Sequence, residues 1–532
     1  MPVSLPRRAP WALALALLAL ALFQLGAAPL FDVDEGAFSE ATREMLASGD
    51  WGHTTLNGED RFDKPILVYW LQSASVSAFG LNEFALRLPS ALCAWGWALA
   101  LFGFAAPRLG QRSAANAALM LATSLGVLAI GRAATADSLL NLLLVLAVFD
   151  AWRWLESESK TALRRAFAWM GLGLLAKGPV AVLVPVAAAG LWLVTAGDWR
   201  ALGRRIVQAV SDLPAWALLL GIAVPWYAYA LHRHGQAFID GFFVRHNLAR
   251  YTGTMEQHGG GWGYYLAVLP LVLLPWAPLL GAVLRHAREH WRDPLGRFLL
   301  GWGLFVVVFF TLSGTKLPHY VLYGATPFVL LMAIELERSG AAMRWALAVA
   351  ALLLLALFVL PAWQLPWVAA RMTKPEYRAL LAGVPVPSLV VAAGWVAAGV
   401  VLGLAAAPAR WRQGLPVSAS PLLGACVVAL TVLGFALPWW GTLLQGPVRD
   451  AAAVARNRPE PAVQWQLHHP SFAVYRGQVT PRRHPQPGEL ALIRVDQLRK
   501  LPPEEANAWE PVFEERGFAL VKWQGAAGQA KP

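Results

Sequence analysis

Two carboxylates stand side by side at Asp34 and Glu35, and a third adjoins a cation at Asp63-Lys64. Further along, Asp137, Lys177, Arg245-His246, His258 and the run Lys316-Leu317-Pro318-His319-Tyr320 add groups of the same kinds. A carboxylate can take a proton from an attacking group, and Lys or Arg can neutralise an anion that departs. Neighbouring residues on a helix point about 100° apart, so Asp34 and Glu35 on a helix would have separate roles. Each group also has a plain reading: acids beside an apolar stretch are often only solvated, interfacial lysines snorkel, and scattered histidines are packed or wet. The side of the molecule on which each one falls decides between these readings.

The elements that must position them are apolar. With 57% hydrophobic and 14% charged residues in a chain of 532, and a mean hydropathy of +0.48, the sequence is too apolar for an ordinary soluble protein and belongs in a bilayer. The formal charge of +12 does not signal nucleic acid, because no basic run is interleaved with aromatics. Lys and Arg gathered in cytoplasmic loops produce the same bias. Cys93 and Cys426 lie far apart in apolar stretches and say nothing about redox compartment.

The segment 11–30 behind Arg7 and Arg8 reads as a retained first helix, although Gly26-Ala27-Ala28 faintly resembles a signal-peptide cleavage site. Further apolar segments of about 20 residues follow at 84–105, 113–131, 136–153, 164–178, 179–196, 212–231, 262–284, 297–313, 318–336, 343–363, 388–407 and 420–441. This makes an all-α polytopic membrane protein of about thirteen spans, within a transmembrane domain 1–441. Cations mark alternate loops: Arg108 and Arg112, then Arg153, Lys160, Arg164 and Arg165, then Arg200, Arg204 and Arg205, then the arginines at 285–297, Arg338 and Arg344, and Arg410 and Arg412. The positive-inside rule then puts the N-terminus inside and the C-terminus outside.

All the candidate groups fall on the outer face, whereas a transporter would place ionisable residues near mid-membrane. Two long outer loops, 31–83 and 232–261, are expected to be functional. The first holds apolar patterns at 35–47 and 66–79 that suit helices lying in the membrane interface. Beyond 441 charges and prolines replace apolar runs, and 442–532 reads as a small periplasmic α/β domain. Its expected strands are 471–476, 489–495 and 518–523, its helices 448–456 and 495–509, and its role that of a lid or packing module.

The first outer loop carries Asp34-Glu35, Arg43-Glu44-Met45-Leu46, Gly49-Asp50-Trp51, Leu56-Asn57-Gly58, Phe62-Asp63-Lys64-Pro65 and Tyr69-Trp70-Leu71. Ala136-Asp137-Ser138, Leu175-Ala176-Lys177-Gly178-Pro179, Val244-Arg245-His246, Gln257-His258-Gly259 and Ser313-Gly314-Thr315-Lys316-Leu317-Pro318-His319-Tyr320 follow in order. Together these resemble the membrane glycosyltransferases that include aminoarabinose transferases and protein O-mannosyltransferases, over nearly the whole membrane region. The resemblance implies a C-type glycosyltransferase fold and an undecaprenyl-phosphate-linked sugar as donor. It also implies an inverting transfer to a lipid, glycan or protein acceptor of the envelope, with membrane lipids as surroundings and no nucleic-acid partner.

By the same resemblance Asp34 is the leading base, with Glu35 beside it and Asp137 next, while Lys64, Lys177, Arg245, Lys316 and Tyr320 are candidates to hold the donor phosphate. Aminoarabinose transferases carry a Glu where this chain has Asp63, and that Glu with a His can hold zinc. Asp63 with His246 or His258 is the corresponding candidate for a divalent metal, and no other cofactor is expected. Gly36-Ala37-Phe38 follows the acidic pair where a typical aminoarabinose transferase is expected to have Arg-Tyr. The acceptor is therefore left open. The rival class is a polytopic transporter or a non-catalytic lipid-binding membrane protein.

Overall fold

The structure, a computed structural model, describes residues 9–253, 259–408, 416–506 and 508–525. His258, Arg410 and Arg412 lie outside the described residues. The expected apolar segments fall on helix, except that the first, 11–30, is helical only over Ala9–Leu22 and continues in turns, and among the described residues eight helical stretches are long and apolar enough to cross a membrane by length and composition. Three further segments are not the plain helices expected. Segment 113–131 breaks at Ser124, between Gln111–Thr123 and Leu125–Ile130, and segment 262–284 breaks around Pro275, between Tyr264–Val272 and Pro278–Arg285. The two breaks meet: Leu125 N–H donates to Leu274 O at 2.9 Å, so backbone groups freed in an apolar setting satisfy one another. Segment 318–336 opens as a 3₁₀ turn, Pro318–Gly324, before the helix Ala325–Glu337.

Three large aromatics of the bundle interior have their polar atoms bonded. Trp97, Trp276 and Trp302 are fully buried, and their indole N–H groups donate to Thr326 Oγ1, Thr123 Oγ1 and Tyr323 O at 2.8, 3.0 and 2.9 Å.

Segment 31–83 folds as a helix Asp34–Ser48, an antiparallel hairpin Thr55–Leu56 with Glu59–Asp60, and a helix Leu67–Phe79. The first of these helices does not lie open in the interface as its apolar spacing suggested. Glu35 to Met45 are all buried, because the C-terminal domain covers the face that the bundle leaves free.

The expected break at 441 is absent from the backbone. One helical stretch of 38 residues, Ala419–Arg456, runs through that position, including a π-helical piece Val432–Ala436. At 1.5 Å per residue it spans about 57 Å, more than a bilayer core, so the composition changes where the helix leaves the apolar layer and not where it ends. Beyond it the sheet order is Ala462–Gln464, Leu490–Arg494, Phe518–Trp523, Trp509–Glu515, with the first pair parallel and the others antiparallel. Two expectations fail here. Residues 471–476, read as a strand from their aromatic and branched side chains, form the helix Ser471–Arg476, because its first N–H is held by Asp32 from the other end of the chain. The helix read over 495–509 is only Val495–Leu498 and Pro503–Ala506, since Pro502 and Pro503 interrupt it and Trp509 pairs into the sheet.

Candidate active site

The three acids at the head of segment 31–83 have three different fates. Glu35 points inward and is only 4% exposed. Its Oε1 accepts from Arg87 Nε at 2.9 Å and Ala134 N at 2.7 Å, and its Oε2 from Arg87 Nη2 and Phe31 N, both at 2.8 Å. Arg87 spends its remaining N–H groups on the carbonyls of Leu25, Ala28 and Pro29. The pair stitches the end of the first helix, the first loop and residue 134 together, and Glu35 does not face the cavity described below.

Asp32 turns to the C-terminal domain. Its Oδ1 accepts from Ser471 N at 3.0 Å, and its Oδ2 meets the Ser471 hydroxyl and His469 Nδ1, the latter at 3.1 Å. A Cβ at position 36 would stand 2.0 Å from Asp32 Oδ1 and 2.6 Å from Ser471 N, so only glycine permits this docking. That accounts for Gly36 at a position where the resemblance leads one to expect an arginine.

Asp34 is left facing an open cavity of about 1020 Å³ at the end of the bundle that carries the two long loops. Among the described residues its carboxylate makes no hydrogen bond. Its protonation equilibrium is pushed above the usual carboxylate value by burial within the cavity walls, against which Lys64 pulls down while Asp137 and Asp63 push up.

Lys64, Asp63, Asp137, Lys177, Arg245, His246 and His319 line the same cavity, so residues separated by more than 250 positions converge. Asp63 is clasped by Arg61 Nη2 at 2.9 Å and by Lys64 Nζ at 2.6 Å, and lies 3.0 Å from His246 Nδ1. Burial alone would raise its proton affinity, but Lys64, His246 and Arg61 together hold it well below the ordinary range. Asp137, at the start of the helix Asp137–Ser157, is a hub: Lys177 Nζ donates to its Oδ1, His319 Nε2 lies 3.5 Å away, and Thr135 donates to Oδ2 at 3.3 Å. Lys177 also sits over the rings of Tyr320 and Tyr323, at 5.6 and 5.7 Å. Asp137 thus positions cations and is poorly placed to act as a free base, and Tyr320 reaches the site through Lys177. Lys316 does not line the cavity: it is buried beside Gly260, and its Nζ donates to Ser313 O at 2.5 Å.

The sequence did not single out several further residues of the cavity wall, among them Glu59 and Asp60 of the hairpin. Arg61 immediately precedes the Phe62-Asp63-Lys64 element and could have been taken with it. His468, Arg482 and Arg483 come from the C-terminal domain, where no local pattern marks them. Burial, then Arg482, bring the His468 imidazole down to about 4, so it is neutral near pH 7. The domain read as a lid or packing module therefore walls the cavity itself.

Asp63 and His246 do not fit a divalent metal in this arrangement. Both carboxylate oxygens already carry a cation, leaving an excess of positive charge where a metal would bind, and among the described residues no third ligand joins them.

Residues 63–229 match the family model described as dolichyl-phosphate-mannose-protein mannosyltransferase. The chain is 32% identical over 448 residues to an undecaprenyl phosphate-alpha-4-amino-4-deoxy-L-arabinose arabinosyl transferase from Pseudomonas paraeruginosa, covering 81% of this chain and 76% of that one. It is 31% identical to the protein of the same name from Edwardsiella ictaluri, where the match spans 58% of this chain and little more than half, 56%, of that protein. The structure of ArnT from Cupriavidus metallidurans bound to undecaprenyl phosphate superposes with a TM-score of 0.80 at 21% identity, covering 99% of this chain and 100% of that one. The fold is therefore the membrane glycosyltransferase fold the first-loop motifs led one to expect, and the chain belongs to the family of undecaprenyl phosphate-aminoarabinose arabinosyl transferases.

Proposed function

We propose that this protein transfers a monosaccharide from an undecaprenyl-phosphate carrier to an acceptor in the bacterial envelope, with inversion at the anomeric carbon. The observation that carries the reading is the pairing of one unbonded carboxylate, Asp34, with a set of cations in a single cavity. Asp34 takes the proton of the acceptor as it attacks the anomeric carbon. The bond to the carrier phosphate breaks on the opposite face, and Lys64, Lys177 and Arg245 neutralise the charge that develops on the leaving phosphate. Asp137 keeps Lys177 and His319 in place, and Asp63 does the same for Lys64. The names of the relatives favour aminoarabinose as the sugar; they name no acceptor, and the envelope acceptor is identified by the mass spectrometry below. The ArnT structure with undecaprenyl phosphate supports the carrier.

The test is turnover of an undecaprenyl-phosphate sugar by the purified protein in lipid, combined with mass spectrometry of lipid A and envelope glycans from deletion and wild-type cells. An unchanged envelope in the deletion strain and no turnover in vitro would overturn the reading.

The lysines separate two roles. Lys64→Ala is expected to weaken donor use about ten- to a hundredfold, since a charge-assisted phosphate contact contributes about 1.5–3 kcal/mol. Lys316→Ala is expected to leave donor binding near wild type, because its ammonium is committed to Ser313 O outside the cavity wall. Equal losses in the two variants would remove Lys64 from the phosphate site.

Sidedness follows from the same reading. In a background lacking Cys93 and Cys426, cysteines at 34, 64 and 482 are expected to react with an impermeant thiol reagent from the periplasm, with the N-terminus in the cytoplasm and the C-terminus outside. Protection of position 482 until the inner membrane is opened would invert the topology.

A further inference from the structure

At the edge of the cavity, whose wall includes Asp60, three metal-competent side chains converge. His53 precedes the hairpin, Asp60 lies on its second strand, and His234 is the last residue of the helix Leu213–His234. His53 Nε2 lies 2.9 Å from Asp60 Oδ1, and His234 Nδ1 lies 3.7 Å from Asp60 Oδ2. One ligand atom from each residue lies within 4.8 Å of the other two. Tetrahedral bonds of about 2.0–2.1 Å place neighbouring ligand atoms about 3.3 Å apart, and the two measured separations bracket that value.

Hydrogen bonding accounts poorly for His234. Among the described residues its Nε2 is buried without a partner, and 3.7 Å is too long for Nδ1 to bond Asp60. An imidazole held in a wall with neither nitrogen bonded is uncommon, and a metal ion would supply what one of them lacks. The two imidazole rings lie 4.3 Å apart, and Phe62 packs against both, closing one side. Asp60 is 55% exposed along its side chain, which leaves room for water as a fourth ligand.

Charge separates this cluster from Asp63 and His246. Two neutral imidazoles and one carboxylate sum to −1, and the neighbouring arginines are engaged elsewhere, Arg233 with Asp50 at 2.5 Å and Arg61 with Asp63 at 2.9 Å. At Asp63 the carboxylate already faces two cations. We propose that His53, Asp60 and His234 bind a divalent transition metal, for which zinc is the best match to two imidazoles and a carboxylate. The ion ties the hairpin to the end of the helix Leu213–His234, and so fixes the strand that leads within four residues to Lys64. The role is structural, and no step of sugar transfer passes through the metal.

The test uses the full-length protein in detergent, stripped with a chelator and titrated with zinc chloride. Elemental analysis after gel filtration is expected to give about one zinc per chain, with uptake weakening as pH falls through the histidine range because the ligands must be deprotonated. His53→Gln and His234→Gln should each lose the ion, whereas Asp63→Asn and His246→Gln should keep it. If a histidine variant does not fold, Asp60→Asn replaces it, and cobalt(II) in place of zinc reports the ligand set directly: visible bands of a tetrahedral site in wild type, absent in Asp60→Asn. No stoichiometric zinc in wild type, or zinc retained in His53→Gln and His234→Gln but lost in Asp63→Asn, would overturn the proposal.

Discussion

Asp34→Asn is expected to lower turnover by about 10²- to 10⁴-fold while the protein remains folded and still binds donor. The amide has nearly the carboxylate's size but cannot accept a proton, and the Asp34 side chain makes no hydrogen bond among the described residues whose loss would unsettle the loop. Purified variant and wild type would be compared for turnover at saturating donor, with donor binding measured separately. The acid limb of the wild-type pH–rate profile supplies a second readout. Burial in the cavity wall, followed by the carboxylates of Asp137 and Asp63, raises Asp34 above the usual carboxylate value of 3.8 despite Lys64. The base is active when ionised, so rate should fall as pH drops through that raised value, earlier than for a free carboxylate. Full activity in Asp34→Asn removes it as the base. Loss of donor binding with no other defect reassigns it to donor positioning.

The neighbouring substitution is expected to fail in the opposite way. Glu35→Ala leaves the Arg87 guanidinium, 3% exposed, without its carboxylate partner, and leaves Phe31 N and Ala134 N without acceptors. Removing one side of such a buried pair costs about 3–5 kcal/mol. Glu35→Ala should therefore unfold at markedly lower temperature and accumulate poorly in membranes. The fraction that does fold should turn over near the wild-type rate, since Glu35 does not face the cavity. Glu35→Gln keeps two acceptor sites on its amide oxygen and should be milder. Thermal unfolding in detergent combined with activity per folded molecule distinguishes the outcomes: a stable but inactive Glu35→Gln protein would return Glu35 to the chemistry.

Adjacent acids with such different fates mark the division between what local sequence carries and what it does not. The apolar segments near 20 residues long, the alternation of cations between loops and the motif order through Lys316–Tyr320 were enough to place the bundle, its long loops and the cluster of site residues at one end. Those signals are legible because a bilayer imposes length and hydrophobicity on each span separately, with no need of a partner. The strand Phe518–Trp523 and the helices of the first loop were readable for a similar reason, since their periodicity is local.

Roles within the site were decided by contacts between residues far apart in sequence. Asp32, Asp34 and Glu35 are one residue type or nearly so within four positions, and only Ser471, the open cavity and Arg87 tell them apart. The same applies to Lys64 and Lys316, which look alike as interfacial lysines until one is found beside Asp34 and the other behind the wall. Ser471–Arg476 is helical although its composition favours a strand, because Asp32, over 400 residues earlier, holds the N–H that begins it. Arg482 and Arg483 carry no local mark and reach the cavity only because the C-terminal domain docks on the first loop, through a glycine whose Cβ-free face no spacing rule reveals.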